Sequence, residues 1–223
     1  MKKAFILPII LLFSFQVFSQ EIYFAPGYSF GGYDHFKSAI NYQVGYHIFI
    51  KEKGRIGLSF SHDYNNHPFG YTFSSNSDGM EYNRTVYPSN HRLEFSVNYC
   101  WNVLNSSNSS LFIGPEIGLN FFLINENGTE LVNNEPETFN FDQRYWEKSK
   151  IGLGLVFDYD IRLVIEYLKL FVSLKPEVIF LSGFGQKGYS GQVFVGNLNT
   201  NIGFKLDIDE LKLNRNKKST VPE

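Results

Sequence analysis

The residues with chemical potential in this chain are charged side chains that recur at every second position. Arg92 and Glu94 are two apart, as are Asp158, Asp160 and Arg162. Lys169, Lys175 and Glu177 share one parity, and Glu116 sits among glycines in Gly114-Pro115-Glu116-Ile117-Gly118. A spacing of two places such residues on one face of an extended strand. Acids and bases of both signs on a common face form salt bridges when that face is buried, because an unpaired buried charge is very costly. The expectation is therefore a structural ionic network made of Arg92, Glu94, Glu116, Asp158, Asp160, Arg162, Lys169, Lys175 and Glu177. Its chemistry is pairing rather than turnover, and it requires no cofactor, metal or catalytic residue.

Other candidates are weaker. His62, Asp63 and His67 lie close together and His91 follows a polar stretch, which is compatible with metal binding or acid–base work but lacks a tight ligand spacing. Ser89, His91 and Glu94 contain the residue types of a hydrolase triad, so an acyl-releasing activity is kept as the alternative function. Cys100 is the one cysteine, so no internal disulfide forms, and its parity places the thiol on the polar face. Ser182 to Gly191 is glycine-rich but precedes a strand pattern. A phosphate-cradling loop would open a helix.

The elements that must hold these residues are long strands. From Ile151 to Leu163 the odd positions are apolar, while Gly152, Gly154, Asp158, Asp160 and Arg162 fall between them. Leu168, Leu170, Val172 and Leu174 then alternate with Lys169, Phe171, Ser173 and Lys175. The same period appears over 21–30, 38–50, 55–64, 91–103, 111–124 and 192–208. This makes about eight strands. Their links alternate: short after the second, fourth and sixth, longer after the others, with polar loops at 65–90 and 125–147. Strands of about ten residues, apolar on one side and polar on the other, with short turns on one side and long loops on the other, are the pattern of a transmembrane β-barrel. The reading is all-β: an antiparallel up-and-down barrel spanning 20–208. Pro26, which has no N–H to give a ladder, is expected to mark a bulge or a poorly paired position near the seam. Inward glycines are expected to make room for long Arg and Lys side chains.

Composition agrees. The 223 residues are 17% aromatic, with 14 Tyr, 23 Phe and 2 Trp, which suits rings at two membrane interfaces. A net charge of −2 argues against a nucleic-acid binder. Residues 1–19 combine Lys2 and Lys3, an apolar run from Ala4 to Phe18, and small residues at Val17 and Ser19. This is the pattern of a secretory signal peptide cleaved before Gln20. Elsewhere no apolar run is long enough for a spanning helix. Residues 209–223 read as a polar tail.

The leader, the alternating strands and phrases such as Gly114-Pro115-Glu116-Ile117-Gly118-Leu119 resemble the small outer-membrane β-barrel proteins of Gram-negative bacteria. The PorT-like group is the nearer resemblance and the OmpA and OmpX type the more distant one. The resemblance implies a cell-envelope protein in the outer membrane, surrounded by its lipids, with a protein or glycan partner at the long outer loops. It implies a non-enzymatic role, structural or accessory to envelope, secretion or adhesion. One departure is that such barrels end their last strand on an aromatic residue, whereas here a charged tail follows Phe204 and Ile208.

Overall fold

The computed structural model describes residues 20–31, 38–50, 53–74, 81–132, 138–146, 149–165, 167–180 and 194–212. The leader 1–19, the glycine-rich loop 182–191 and the tail from 213 lie outside these residues. Eleven strands are present among them: β1 (Gln20–Gly31), β2 (Ser38–Ile50), β3 (Gly54–Asn65), β4 (Phe69–Ser74), β5 (Glu81–Pro88), β6 (Asn90–Asn105), β7 (Ser109–Val132), β8 (Thr138–Trp146), β9 (Lys150–Arg162), β10 (Leu168–Phe180) and β11 (Phe194–Asp207).

Eight of them close a barrel, in the order β1-β2-β3-β6-β7-β9-β10-β11, with β11 returning to β1. All the pairings are antiparallel. The seam runs from Glu21↔Asp207 to Gly31↔Asn197. Within it, Phe24↔Phe204 is followed by Gly27↔Asn201, so Ala25 and Pro26 leave the ladder without a change of register. Pro26 therefore marks a poorly paired position, not a bulge, because its ring removes the N–H and shifts nothing else. The last strand ends at Asp207, one residue short of the expected boundary. A short helical turn over 208–212 follows, with Asp207 Oδ1 accepting from the backbone N–H groups of Asp209 and Glu210, both at 3.2 Å.

Burial follows the alternation and inverts a soluble protein. Val97, Leu153 and Leu155 are about half exposed on the outer wall, while Arg55 and Lys205 are fully buried in the lumen. A lipocalin-like carrier would bury the apolar parity instead. Water would never stabilise such a wall, whereas lipid does.

The two long polar loops are where the structure departs from the sequence reading. β4, β5 and β8 occupy them, and β7 runs on well past the barrel. β5 pairs with the end of β7 from Tyr82↔Val132 to Pro88↔Glu126. β8 pairs with the other edge from Leu123↔Trp146 to Leu131↔Thr138. With β4 on β5, these segments form a four-stranded sheet continuous with the barrel wall. At about 3.3 Å per residue, a 24-residue strand is about 80 Å long, and even with a tilt near 45° it far exceeds a hydrocarbon core of about 30 Å. The sheet therefore stands outside the membrane.

Candidate functional site

The inward parity of the eight barrel strands packs the lumen with side chains, as a barrel of this size demands. The ion pairs fall into two groups along the axis, not the single network expected from sequence.

The first group lies at the end where β1 begins and β11 stops. Arg55 from β3 bonds Asp158 and reaches Asp160 Oδ2 at 3.3 Å. Lys205 from β11 reaches the same two carboxylates, Asp160 Oδ1 at 2.6 Å and Asp158 Oδ2 at 3.5 Å. Lys169 bonds Glu21 and lies 3.6 Å from Asp207 Oδ2. Aromatic faces back the cations: Arg55 Cζ is 3.9 Å from the Phe112 centroid and Lys205 Nζ 4.3 Å from that of Phe171. Such contacts stabilise a desolvated cation by about 2 kcal/mol.

The second group lies towards the outer sheet and is centred on Arg92. Its Nε is 2.8 Å from Asp63 Oδ2, and its two Nη atoms reach Glu94 Oε2 at 3.3 Å and Glu177 Oε2 at 3.4 Å. Lys175 Nζ donates to Glu116 Oε2 at 2.8 Å. Neutral donors complete these carboxylates. Ser61 donates to Glu94 at 3.0 Å and Asn120 to Glu177 at 3.0 Å, while Ser96 and Asn98 donate to Glu116 at 2.9 and 3.2 Å. Beyond this group, Ala39, Phe122, Ile124, Ile179 and Val195 form a buried apolar layer at the outer end of the lumen.

Eight of the nine residues read from the sequence stand in these groups. Arg162 does not. It occupies the last position of β9, is exposed, and lines an open depression at the inner mouth with Asn108, Leu163, Val164, Lys169, Asp207 and Glu210. Parity gives the facing of a residue but not its height, and the final position of a strand reaches water. Arg55, Asp63, Lys205 and Asp207 share the same inward parity and join these groups, and three further inward charged residues are not evident from the strand bounds read in the sequence. Glu21 is fully buried on Lys169, its Oε2 3.5 Å from His47 Nδ1. Lys150 is buried at the outer end of β9, and Glu126 accepts from Asn90 at 2.9 Å where β7 leaves the barrel. Each follows the alternation of its own strand once the strand ends are known.

The glycines also need correcting. A Cβ on Gly152 would collide with the Glu177 carboxylate, one on Gly118 with Glu94, and one on Gly45 with the Tyr23 ring. They leave room for acids and a ring, not for Arg and Lys. Long flexible cations can bend around a wall, whereas a carboxylate on a short stem must lie against it.

The histidines and the triad candidates separate. His91 and Glu94 point to opposite faces of β6, Glu94 into the lumen and His91 onto the outer wall, so the two do not meet. His62 likewise turns outward while Asp63 turns in. His62 and His91 instead meet each other, with His62 Nε2 2.9 Å from His91 Nδ1. His67 Nε2 lies 3.1 Å from the Tyr28 hydroxyl. Cys100 is buried with its Sγ 3.5 Å from Asn98 Oδ1, an inert thiol filling space.

No protein-family model matches the chain, and no curated protein does. Among solved structures it is similar to a major outer membrane protein from Thermus thermophilus, with a TM-score of 0.53 and 10% identity over 86% of this chain and 100% of that one. It is also similar to Neisserial surface protein A, with a TM-score of 0.46 and 10% identity over 86% and 97% of the two chains. A third likeness is to Ail, the attachment invasion locus protein of Yersinia pestis, solved with the heparin analogue sucrose octasulfate. Its TM-score is 0.46, with 12% identity over 85% and 99%. The first likeness speaks for the fold, and the two lower scores add no argument. A closed eight-stranded antiparallel barrel, apolar outside and charged inside, has the fold of a small outer-membrane β-barrel protein.

Proposed function

We propose that this protein is a non-enzymatic barrel with a closed lumen, which anchors and displays a β-sheet at the cell surface as an accessory to adhesion or secretion. The observation that carries this reading is the length of β7. Its first half closes the barrel against β6 and β9, and its second half is the spine of the outer sheet between β5 and β8. A sheet held by continuous strands on a rigid base is well suited to presenting a surface to a protein or glycan, since binding residues are commonly carried on segments positioned by a scaffold. The two ionic groups and the apolar layer above them speak for a lumen that passes no solutes. The PorT-like resemblance of the sequence points the same way, towards an envelope accessory. The acyl-releasing alternative lacks support, because His91 and Glu94 lie on opposite faces of one strand.

The test has two arms. Planar-bilayer recording of the refolded protein is expected to be silent, and large stable conductance would turn the reading towards a pore. Cells carrying the wild type, or a variant with 69–86 replaced by a short turn, are then compared for binding to arrays of glycans and matrix proteins. Loss of a bound ligand, with the heat-modifiable mobility of the barrel intact, supports display. Equal binding by both forms, or release of acyl chains by the purified barrel, opposes it.

A further inference from the structure

The His62–His91 pair takes no part in the lumen or in the outer sheet. His62 is the outward residue of β3 opposite Tyr42 and Leu93, and His91 is the outward residue of β6 opposite Tyr64 and Leu123. Both are partly exposed on the outer wall, where β3 and β6 approach the outer sheet. Their ring planes lie 8° apart with centroids 5.2 Å apart and nearest nitrogens 2.9 Å apart, so the rings meet edge to edge through one shared proton. Directly below, towards the middle of the membrane, Phe60, Phe95 and Phe121 form a ladder of outward rings at centroid spacings of 4.9 and 6.2 Å. The wall thus offers an apolar track capped by a pair of imidazoles at the level where a membrane barrel carries its interfacial ring of polar aromatics.

We propose that His62 and His91, above the Phe60–Phe95–Phe121 ladder, form a binding site for an anionic lipid of the outer leaflet, one whose headgroup phosphate has no compensating cation, which the pair takes up together with one proton. The proton count follows from imidazole chemistry. The neutral pair carries two N–H protons on four ring nitrogens, one in the shared bond and one free to donate. Adding one proton from solvent to the remaining bare nitrogen gives two free N–H donors and a net positive charge, and the shared bond survives. Adding a second would set N–H against N–H across 2.9 Å. The singly protonated pair is therefore the form suited to an anion, and phosphate is the anion that an outer-leaflet headgroup supplies.

Among the described residues, the titratable neighbours across the ladders are Tyr42 of β2 and Tyr64 of β3, the Tyr64 ring lying 5.0 Å from that of His91. Leu93, Phe121 and Leu123 are apolar. On β8 the exposed Arg144 and Asp142 lie further out, beyond Trp146. Asp63 and Arg92 turn into the lumen and are engaged with each other.

Native mass spectrometry of the detergent-refolded barrel, offered phosphatidylglycerol and phosphatidylcholine in equal amounts, tests this. Measurements at about pH 4.5 and about pH 7.5 reach well below and above the ordinary imidazole value of about 6.5. The wild type is expected to retain phosphatidylglycerol in several-fold excess at the lower pH, with the excess shrinking at the higher. The double variant His62→Ala, His91→Ala is expected to retain the two lipids equally at both. The double variant His62→Gln, His91→Gln, which keeps polarity but takes no proton, is expected to lose the pH dependence as well. An excess that ignores pH, or that persists in the variants, overturns the proposal. So does inorganic phosphate competing as well as the phospholipid, because the phenylalanine ladder would then contribute nothing.

Discussion

The two ionic groups in the lumen solve the same problem by different means. In the inner group three cations, Arg55, Lys169 and Lys205, serve four carboxylates, Glu21, Asp158, Asp160 and Asp207. Asp158 and Asp160 each meet two cations, and aromatic faces back the positive charges. In the outer group the pairs formed by Arg92 and Lys175 serve four carboxylates, Asp63, Glu94, Glu116 and Glu177. There the balance is made up by hydroxyl and amide donors from Ser61, Ser96, Asn98 and Asn120. A buried carboxylate is satisfied by any well-placed donor, and hydrogen bonds to a charged acceptor contribute about 1.5–3 kcal/mol each. In the inner group Asp158 and Asp160 share two cations, so neither depends on one alone. The outer group is centred on one guanidinium.

That difference sets an order of sensitivity. Arg92→Ala is expected to cost the most, about 3–5 kcal/mol, because Asp63, Glu94 and Glu177 lose their shared cation at once. Urea unfolding from lipid vesicles, followed by tryptophan fluorescence, measures it. Lys205→Ala should cost less, about 1–3 kcal/mol, since Arg55 still serves both Asp158 and Asp160. Equal losses for the two variants would show that redundancy gives no protection and would break the comparison. Gly152→Ala pushes a methyl group against the Glu177 carboxylate and so disturbs the outer group alone. About 1–3 kcal/mol is the expected cost of such overpacking, and a total loss in the Gly152→Ala, Arg92→Ala double variant smaller than the sum of the two single losses would locate both effects in one cluster. Arg162→Ala is expected to leave the unfolding midpoint unchanged, because that side chain stands at the open mouth. A clear drop would mean that the inner group extends to the rim.

Much of the barrel was legible in the residues. Asp158 and Asp160 alternate with Phe157 and Tyr159, and a period of two on a long strand has one structural meaning. The same rule placed Lys169, Lys175 and Glu177 correctly, and Pro26 announced the gap in the seam. The outer sheet was less legible. On β5, Tyr82, Arg84 and Val86 alternate with Asn83, Thr85 and Tyr87, so neither parity is apolar and the period vanishes. β8 did carry a trace, Phe139 and Phe141 against Asn140 and Asp142, hidden in a polar loop.

What the sequence determined by itself is the facing of each side chain, because the pleat is local and a wall between lipid and a packed lumen forces polar and apolar residues onto opposite sides. What the tertiary structure decided is height and partnership. Strand stagger and barrel closure bring Arg55 of β3 to Asp158 of β9 and Lys205 of β11, residues more than a hundred positions apart in the first case, and leave Arg162, of the same parity as Asp160, in water. No local rule carries that information, because it depends on the register of every strand between them.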